Sequence, residues 1–319
     1  MSRYLAQRIG FAVLILFSLS IFVFVLFFVA PGDPARMIAG DKATETQLEQ
    51  IRSNLGLDQP IYVQYGRFIA KAAIGDLGFS YRNQQPVTEL IVRRLPATIS
   101  LVIGGVIFWL AFGIPIGIMS ARFPGGFRDR LGQGFILLGL SFPTFVLGML
   151  SLYVFYFLPR KAGFMLFPPG GYKPFLADPV DWAWHLFLPW TTLALVTAAI
   201  YARLTRGKLI EVLGEDYIRT ARAKGLSEAK VVYKHGLRAT LTPLITQLGA
   251  DIALLLGGVI VIEQIYGLQG VGALAVQSVR NLDRPVIIGI VLMGGFFIVV
   301  TNIIVDLLYA VLDPRVRGA

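Results

Sequence analysis

The sequence predicts an all-α integral membrane protein with six crossing helices, and three observations carry that fold class. The chain has 319 residues, of which 55% are hydrophobic and 15% charged, with a mean hydropathy of +0.68. Soluble chains run near 45–50% apolar and about 25% charged. Six apolar stretches, at 9–30, 97–121, 131–158, 186–202, 244–262 and 286–305, each approach the ~20 residues needed to cross the hydrocarbon core. Finally, the basic residues segregate. With both termini inside, the inner segments carry sixteen Lys and Arg against five in the short outer loops. Such an excess marks the cytoplasmic side.

The first stretch resembles a secretory signal only superficially. Its apolar run exceeds the roughly 7–15 residues of a signal core, and no clear A-x-A site follows, so it is expected to stay as an anchor. The fourth is short but Leu-rich, the fifth carries one charge, Asp251, and the sixth continues toward Tyr309. Arg93 and Arg94 lie outside, against the charge rule, and are expected to snorkel to the headgroups.

The absence of cysteine excludes disulfides, thiolate metal sites and cysteine nucleophiles. His185 and His235 are too far apart in sequence to suggest a zinc site. The net charge of +10 fits basic cytoplasmic loops rather than nucleic-acid binding. No internal repeat is evident.

The domain expectation follows the spans. Residues 1–30 form the N-terminus and first helix, and 31–96 an external segment. Residues 97–311 form the membrane core, including a cytoplasmic loop at 203–242, and 312–319 a cytoplasmic tail. In the external segment, "TETQLEQIRSNLGL" places Leu48, Ile51 and Leu55 on one helical face, with Gly56 as a stop. "PIYVQYGRFIAKAAIG" repeats the pattern, which predicts a small helical cap. "PRKAGFMLFPPGGYKPFLADPVDW" reads as an irregular outer loop with interfacial rings. "EQIYGLQGVGALAVQSVRNLDRP" holds an apolar run too short to span, suited to a re-entrant or interfacial helix.

The longest inner loop contains "DYIRTARAKGLSEAKVVYKHG", residues 216–236. Asp216 is expected to cap a helix, with Tyr217, Ala221 and Lys224 on one face and Gly225 as its left-handed stop. Ser227 is a second candidate cap, with Glu228 in the first turn and Val231, Val232 and Tyr233 as an apolar side. A helix, a Gly hinge and a second helix on the cytoplasmic face fit either a groove in a partner protein or anionic lipid.

Polar groups inside spans are costly without a partner or water. Asp251 and Asn302 are therefore candidate translocation-path residues, with pairing to a neighbouring helix as the competing reading for Asp251. Asp306 reads as structural, Glu263 as a mouth or interface residue, His185 as interfacial and His235 as part of the inner loop. Gly pairs in "LLLGGVIVI" and "VLMGGFFIVV" permit close helix packing.

"DYIRTARAKGLSEAKVVYKHGLRATLTP" resembles the cytoplasmic coupling loop of ABC-importer inner-membrane permeases, and more narrowly the first-subunit branch of the dipeptide/oligopeptide permease family. "RIGFAVLILFSLSIFVFVLFFVAPGDPARMIAG", "IRSNLGLDQPIYVQYGRFIAKAAIGDLGFSYRNQQPVTELIVRRLPATISL" and "DLLYAVLDPRVRG" resemble other parts of that family in the same order. The broader coupling motif has Glu-Ala-Ala, three residues and Gly; here Arg219, Thr220 and Ala221 precede Gly225. Where a Leu-Pro would follow, the chain has Leu237-Arg238, with Pro243 five residues later; Arg219 in the place of the Glu weakens any claim that a Glu carries the contact.

The resemblance implies a subunit without chemistry of its own. It would pair with a second, homologous permease subunit, two cytoplasmic ATP-binding subunits and an external substrate-binding protein, in a bacterial or archaeal inner membrane. ATP and Mg would be bound by the partner ATPases, with no cofactor in this chain; no P-loop motif is present. Arg219, Thr220, Ala221, Lys224, Gly225, Leu226 and Ser227 are the implied coupling contacts. Di- and oligopeptides are the implied cargo, with glutathione, nickel complexes or another small solute as alternatives. The competing classes are a stand-alone ion-coupled carrier using Asp251 and an intramembrane enzyme. No duplicated halves and no convincing catalytic set support them.

Overall fold

The computed structural model describes residues 2–29, 44–56, 58–80 and 82–312. The chain is mostly helical and divides into two compact units, residues 1–95 with 274–300, and residues 96–273 with 301–319. Among the described residues, four helices are long and apolar enough to cross a membrane, or five if a bent pair counts as one span.

In the first unit, α1 (Ser2–Phe24) runs into one π-helical turn, Val25–Val29. Two shorter helices follow, α2 (Glu45–Leu55) and α3 (Ile61–Ala73). Their origin is local. Thr44 and Gln47 form a reciprocal capping box at the start of α2, and Gly56 closes it at φ +68°. Leu48 is buried; the side chains of Ile51 and Leu55 lie outside the described residues. Tyr65 of α3 sits against Phe17 and Phe24 of α1, and its hydroxyl pairs with Ser20 at 2.8 Å. A minimal antiparallel ladder, β1 (Phe79–Ser80) and β2 (Gln85–Pro86), pairs Phe79 with Pro86 and Ser80 with Gln85. The Asp283 carboxylate accepts from the Ser80 hydroxyl and from Asn83 Nδ2, closing that turn against the chain's later part.

In the second unit, α4 (Val87–Arg122, entering from the first) lies beside α8 (Pro179–Leu213). Glycines on α4 set their approach. A Cβ at Gly113 would stand 2.7 Å from the Ala198 carbonyl oxygen, and one at Gly117 would stand 2.7 Å from that of Ala202. Small residues four apart let helix backbones meet this closely. Leu101, Trp109, Trp190, Tyr201 and Ile262 fill the core between the long helices.

The stretch 131–158, expected as one helix, is broken. It forms α5 (Phe127–Ser141), α6 (Thr144–Leu152), a π-helical turn (Tyr153–Phe157) and α7 (Leu158–Lys161), with a 98° bend between the two halves. The cause is Pro143. It has no N–H to donate and pushes Phe142 to the extended values φ −114° and ψ 134°.

α9 (Asp216–Ala223) and α10 (Glu228–Lys230) belong to the inner loop. A π-helical segment, Val231–Gly236, then runs into α11 (Leu237–Ile265). The expected second loop helix is thus the entry to a long helix rather than a separate element. The stretch 244–262 falls within α11, part of whose side chains, with the Gly257–Gly258 pair, lie outside the described residues. α12 (Val271–Arg280) occupies the run too short to span, and α13 (Arg284–Leu312) holds the last apolar stretch. On α13, Gly295 receives the Leu19 side chain of α1, while Gly294 faces open space.

Candidate coupling segment and buried anchors

The segment 216–236 is built from the chain outward. α8 ends at Leu213, and Glu215 occupies the cap position of α9 without a side-chain hydrogen bond. Asp216, expected as the cap, is instead the first helical residue. Its carboxylate accepts from Arg219 at 3.1 Å, which removes it from the backbone donors but leaves it in the turn where negative charge is favoured. At the other end, Gly225 at φ +75° forms a Schellman closure. Gly225 N–H donates to the Arg222 carbonyl at 2.9 Å, and Leu226 N–H to that of Ala221 at 3.4 Å.

Of the face expected to carry Tyr217, Ala221 and Lys224, only Ala221 turns inward. Ile218, Ala221 and Val231 are buried together, with Leu226, Val212 and Leu213 against them. Tyr217 points outward, because one apolar anchor per turn is all an eight-residue helix can bury, and Ile218 holds that place. Partial burial and the nearby Glu215 carboxylate still push the Tyr217 hydroxyl pKa upward. Arg222 Nε donates to Glu228 at 2.7 Å, stapling the two sides of the Gly225 turn. Arg219, Thr220, Lys224, Gly225 and Ser227 are exposed, Leu226 is half-buried, and Ala221 is only 7% exposed. Ser227 stands at the cap of α10 with no side-chain cap bond. The His235 position lies in the π-helical segment.

Asp251 is half-buried on α11. The Tyr201 hydroxyl donates to one carboxylate oxygen at 2.9 Å and Gln247 Nε2 to the other at 2.9 Å. Asn302 on α13 is exposed; the side chain of Asp306 lies outside the described residues. His185 is held by Asp181, one turn earlier.

Residues 113–318 match the family described as binding-protein-dependent transport system inner membrane component, and residues 1–102 match its N-terminal counterpart. The chain belongs to this family. A protein of Brucella abortus (strain 2308) provisionally named a peptide transport system permease protein is 40% identical over 99% of both chains. The glutathione transport system permease protein GsiC of Escherichia coli (strain K12) matches at the same identity and coverage. A solved chain of the MetNI methionine ABC transporter, in an inward-facing conformation, is 17% identical. It superposes at a TM-score of 0.52 over 70% of this chain and 96% of that one. The match supports the shared permease fold. The expected resemblance to peptide-type ABC-importer permeases therefore holds, and the chain is a membrane-embedded permease subunit.

Two anchors of this permease escaped sequence reasoning. Glu263, expected at a mouth or interface, is fully buried in the second unit. It accepts from the Thr98 hydroxyl at 2.6 Å and from Ala273 N–H at 2.8 Å, while Val271 N–H donates to Thr98 at 2.9 Å. Together they cap α12. The signal was the glycine spacing of "EQIYGLQGVGA": a Cβ at Gly270 would clash with the Glu263 carboxylate, and one at Gly272 would stand 2.8 Å from Ile260. The second anchor is Asp129, 4% exposed, which accepts from Arg206 Nε at 2.8 Å and Nη2 at 2.9 Å, from the Ser120 hydroxyl and from Gly125 N–H. It fastens the α4–α5 turn to α8 seven residues before that helix ends. Within "RDR" it looks like one more loop charge, so nothing local distinguishes it.

Proposed function

We propose that this permease forms half of the translocation path of an ATP-driven importer of di- and oligopeptides. In this reading six helices span the inner membrane with both termini cytoplasmic. The α2–α3 region is external and 203–242 cytoplasmic. A second, homologous permease subunit completes the path. Two cytoplasmic ATP-binding subunits, which bind ATP and Mg, hydrolyse ATP beneath it, and an external binding protein delivers the cargo. Peptide cargo is supported by the names of relatives matched end to end, and glutathione is the second reading on the same ground. A stand-alone carrier is disfavoured by family membership, and both Asp251 oxygens already accept protein hydrogen bonds. Asp251 and Asn302 remain the proposed path residues.

The observation that carries the coupling assignment is the closed geometry of α9. Its Schellman turn and the Arg222–Glu228 bond fix a short helix whose inner side is bound to α8 and whose outer side offers Arg219, Thr220, Lys224, Gly225 and Ser227. A rigid, outward-facing element of this kind suits a groove in a partner protein. Ala221 would act from beneath, as the small residue that lets α9 sit close to Val231.

The test uses the lack of native cysteine. Ala223, exposed on α9, is replaced by cysteine, and the chain is coexpressed with neighbour-encoded ATPases carrying single groove cysteines. A nucleotide-sensitive disulfide cross-link is expected. No cross-link to any ATPase, with the thiol reachable from the cytoplasm, would overturn the coupling assignment.

A further inference from the structure

Beside the turn between α4 and α5 lies a half-open cavity of about 270 Å³, lined also by Tyr233 of the π-helical segment. Its size is below the roughly 300–1,000 Å³ of clefts that engulf drug-sized ligands, so it suits a small group. Its floor is apolar, from Pro115, Ile118 and Met119 of α4. Its rim is cationic. The Arg128 guanidinium lies 4.8 Å from the Phe123 ring centroid and that of Arg122 lies 5.6 Å from the same ring. Two like charges thus gather on one ring.

Among the described residues no protein anion answers them. Neither Arg122 nor Arg128 is ion-paired among the described residues. The nearest acid along the chain, Asp129, is already committed to Arg206, Ser120 and Gly125. Arg128 also stands in the first turn of α5, where a cation is electrostatically disfavoured unless an anion accompanies it. Arginine forks match phosphate oxygens, and basic pockets between membrane helices on the cytoplasmic side suit anionic headgroups.

We propose that this cavity binds a phosphate-bearing anion. The Arg122 and Arg128 guanidinia clamp the phosphate, and Ile118 and Met119 carry the apolar part of the ligand. The source is either an anionic phospholipid headgroup or a soluble phosphate compound. The site lies beside the segment that follows α9, so occupancy would brace that segment. Its cytoplasmic placement rests on the orientation proposed above.

The experiment uses the full chain, purified with its partner subunits in neutral detergent. Phosphatidylglycerol, phosphatidylcholine and inorganic phosphate are the probes, and native mass spectrometry counts bound molecules. Wild type is expected to retain phosphatidylglycerol over phosphatidylcholine. Arg122→Gln with Arg128→Gln should weaken that retention about 25-fold, at roughly fivefold per basic side chain, and Arg122→Lys with Arg128→Lys should keep most of it. Arginine-dependent binding of inorganic phosphate, with phosphatidylglycerol unaffected by the substitutions, would support the site and assign it to a soluble phosphate. Equal binding of every probe by wild type and the Gln variant would overturn the site. Met119→Trp, which fills the floor and leaves both charges, should also displace the lipid, and its failure to do so in a folded complex counts against the proposal. The Ala223 cross-link, measured in parallel, reports the coupling assignment separately, because lipid counting needs no nucleotide response.

Discussion

The Thr98 hydroxyl donates to the Glu263 carboxylate at 2.6 Å across 165 positions of sequence, and both groups end at the first turn of α12. A helix start buried without acceptors leaves N–H groups unsatisfied. Glu263→Ala should therefore destabilise the purified complex by about 2 kcal/mol, the scale of a buried polar group losing its partner. Glu263→Gln keeps an acceptor oxygen and should cost about half as much. The measurement is thermal unfolding of both variants in detergent. Wild-type melting points for both would show that the carboxyl group is not the cap.

Gly225 makes a different demand. A Cβ there would meet nothing within 4 Å, yet its φ of +75° strains any branched side chain. Gly225→Val should cost about 1–2 kcal/mol locally, open the α9 turn, and lower ATP-driven uptake with little change in the melting of the whole chain. Gly225→Asn, which tolerates the left-handed region, should keep roughly half or more of the uptake. Gly225→Glu should uncouple as Val does, through bulk and charge at the exposed turn; normal uptake by that variant would remove Gly225 from the coupling surface.

The Asp129–Arg206 pair sets a third expectation. The carboxylate is almost fully enclosed and receives four donors, so removing Arg206 strands a buried charge, and removing Asp129 leaves a half-buried Arg206 without its partner. Asp129→Ala and Arg206→Ala should each cost about 3 kcal/mol, and the double variant little more than either single one. A double-mutant cycle on detergent stability reads the coupling directly. Additive losses would mean that the two side chains act independently.

What could be read from sequence and what could not separates along physical lines. The apolar stretches were legible because a bilayer imposes length and composition together. The stops at Gly56 and Gly225 were legible because they are local, whereas the equally local capping box at Thr44 was not read. The break at Pro143 carried its signal in plain sight, yet an apolar run reads as continuous when hydropathy alone is followed. Which side of α9 faces inward was not legible, because an eight-residue helix offers too few turns to fix its inner face; Ile218 and Ala221 turn inward and Tyr217 outward. Glu263 and Asp129 could not be recognised as anchors, since their partners lie on other helices and a single sequence does not reveal which charge folds inward.

The glycines of the long helices give the last expectation, because they divide by what surrounds them rather than by identity. Gly113 on α4 and Gly207 on α8 are both helical and both within long apolar elements. A Cβ at Gly113 would stand 2.7 Å from the Ala198 carbonyl oxygen and 2.8 Å from Tyr201 Cβ, contacts that only a backbone shift relieves. A Cβ at Gly207 would meet nothing within 4 Å. Gly113→Ala should therefore cost about 1–3 kcal/mol through overpacking. Gly207→Ala should be neutral or stabilise by up to about 1 kcal/mol, since Ala restricts the unfolded chain and favours helix. Melting curves of the two variants in the same detergent decide it. A destabilised Gly207→Ala would mean that a partner subunit occupies that face, and an unaffected Gly113→Ala would mean that α4 and α8 are not held together at this glycine.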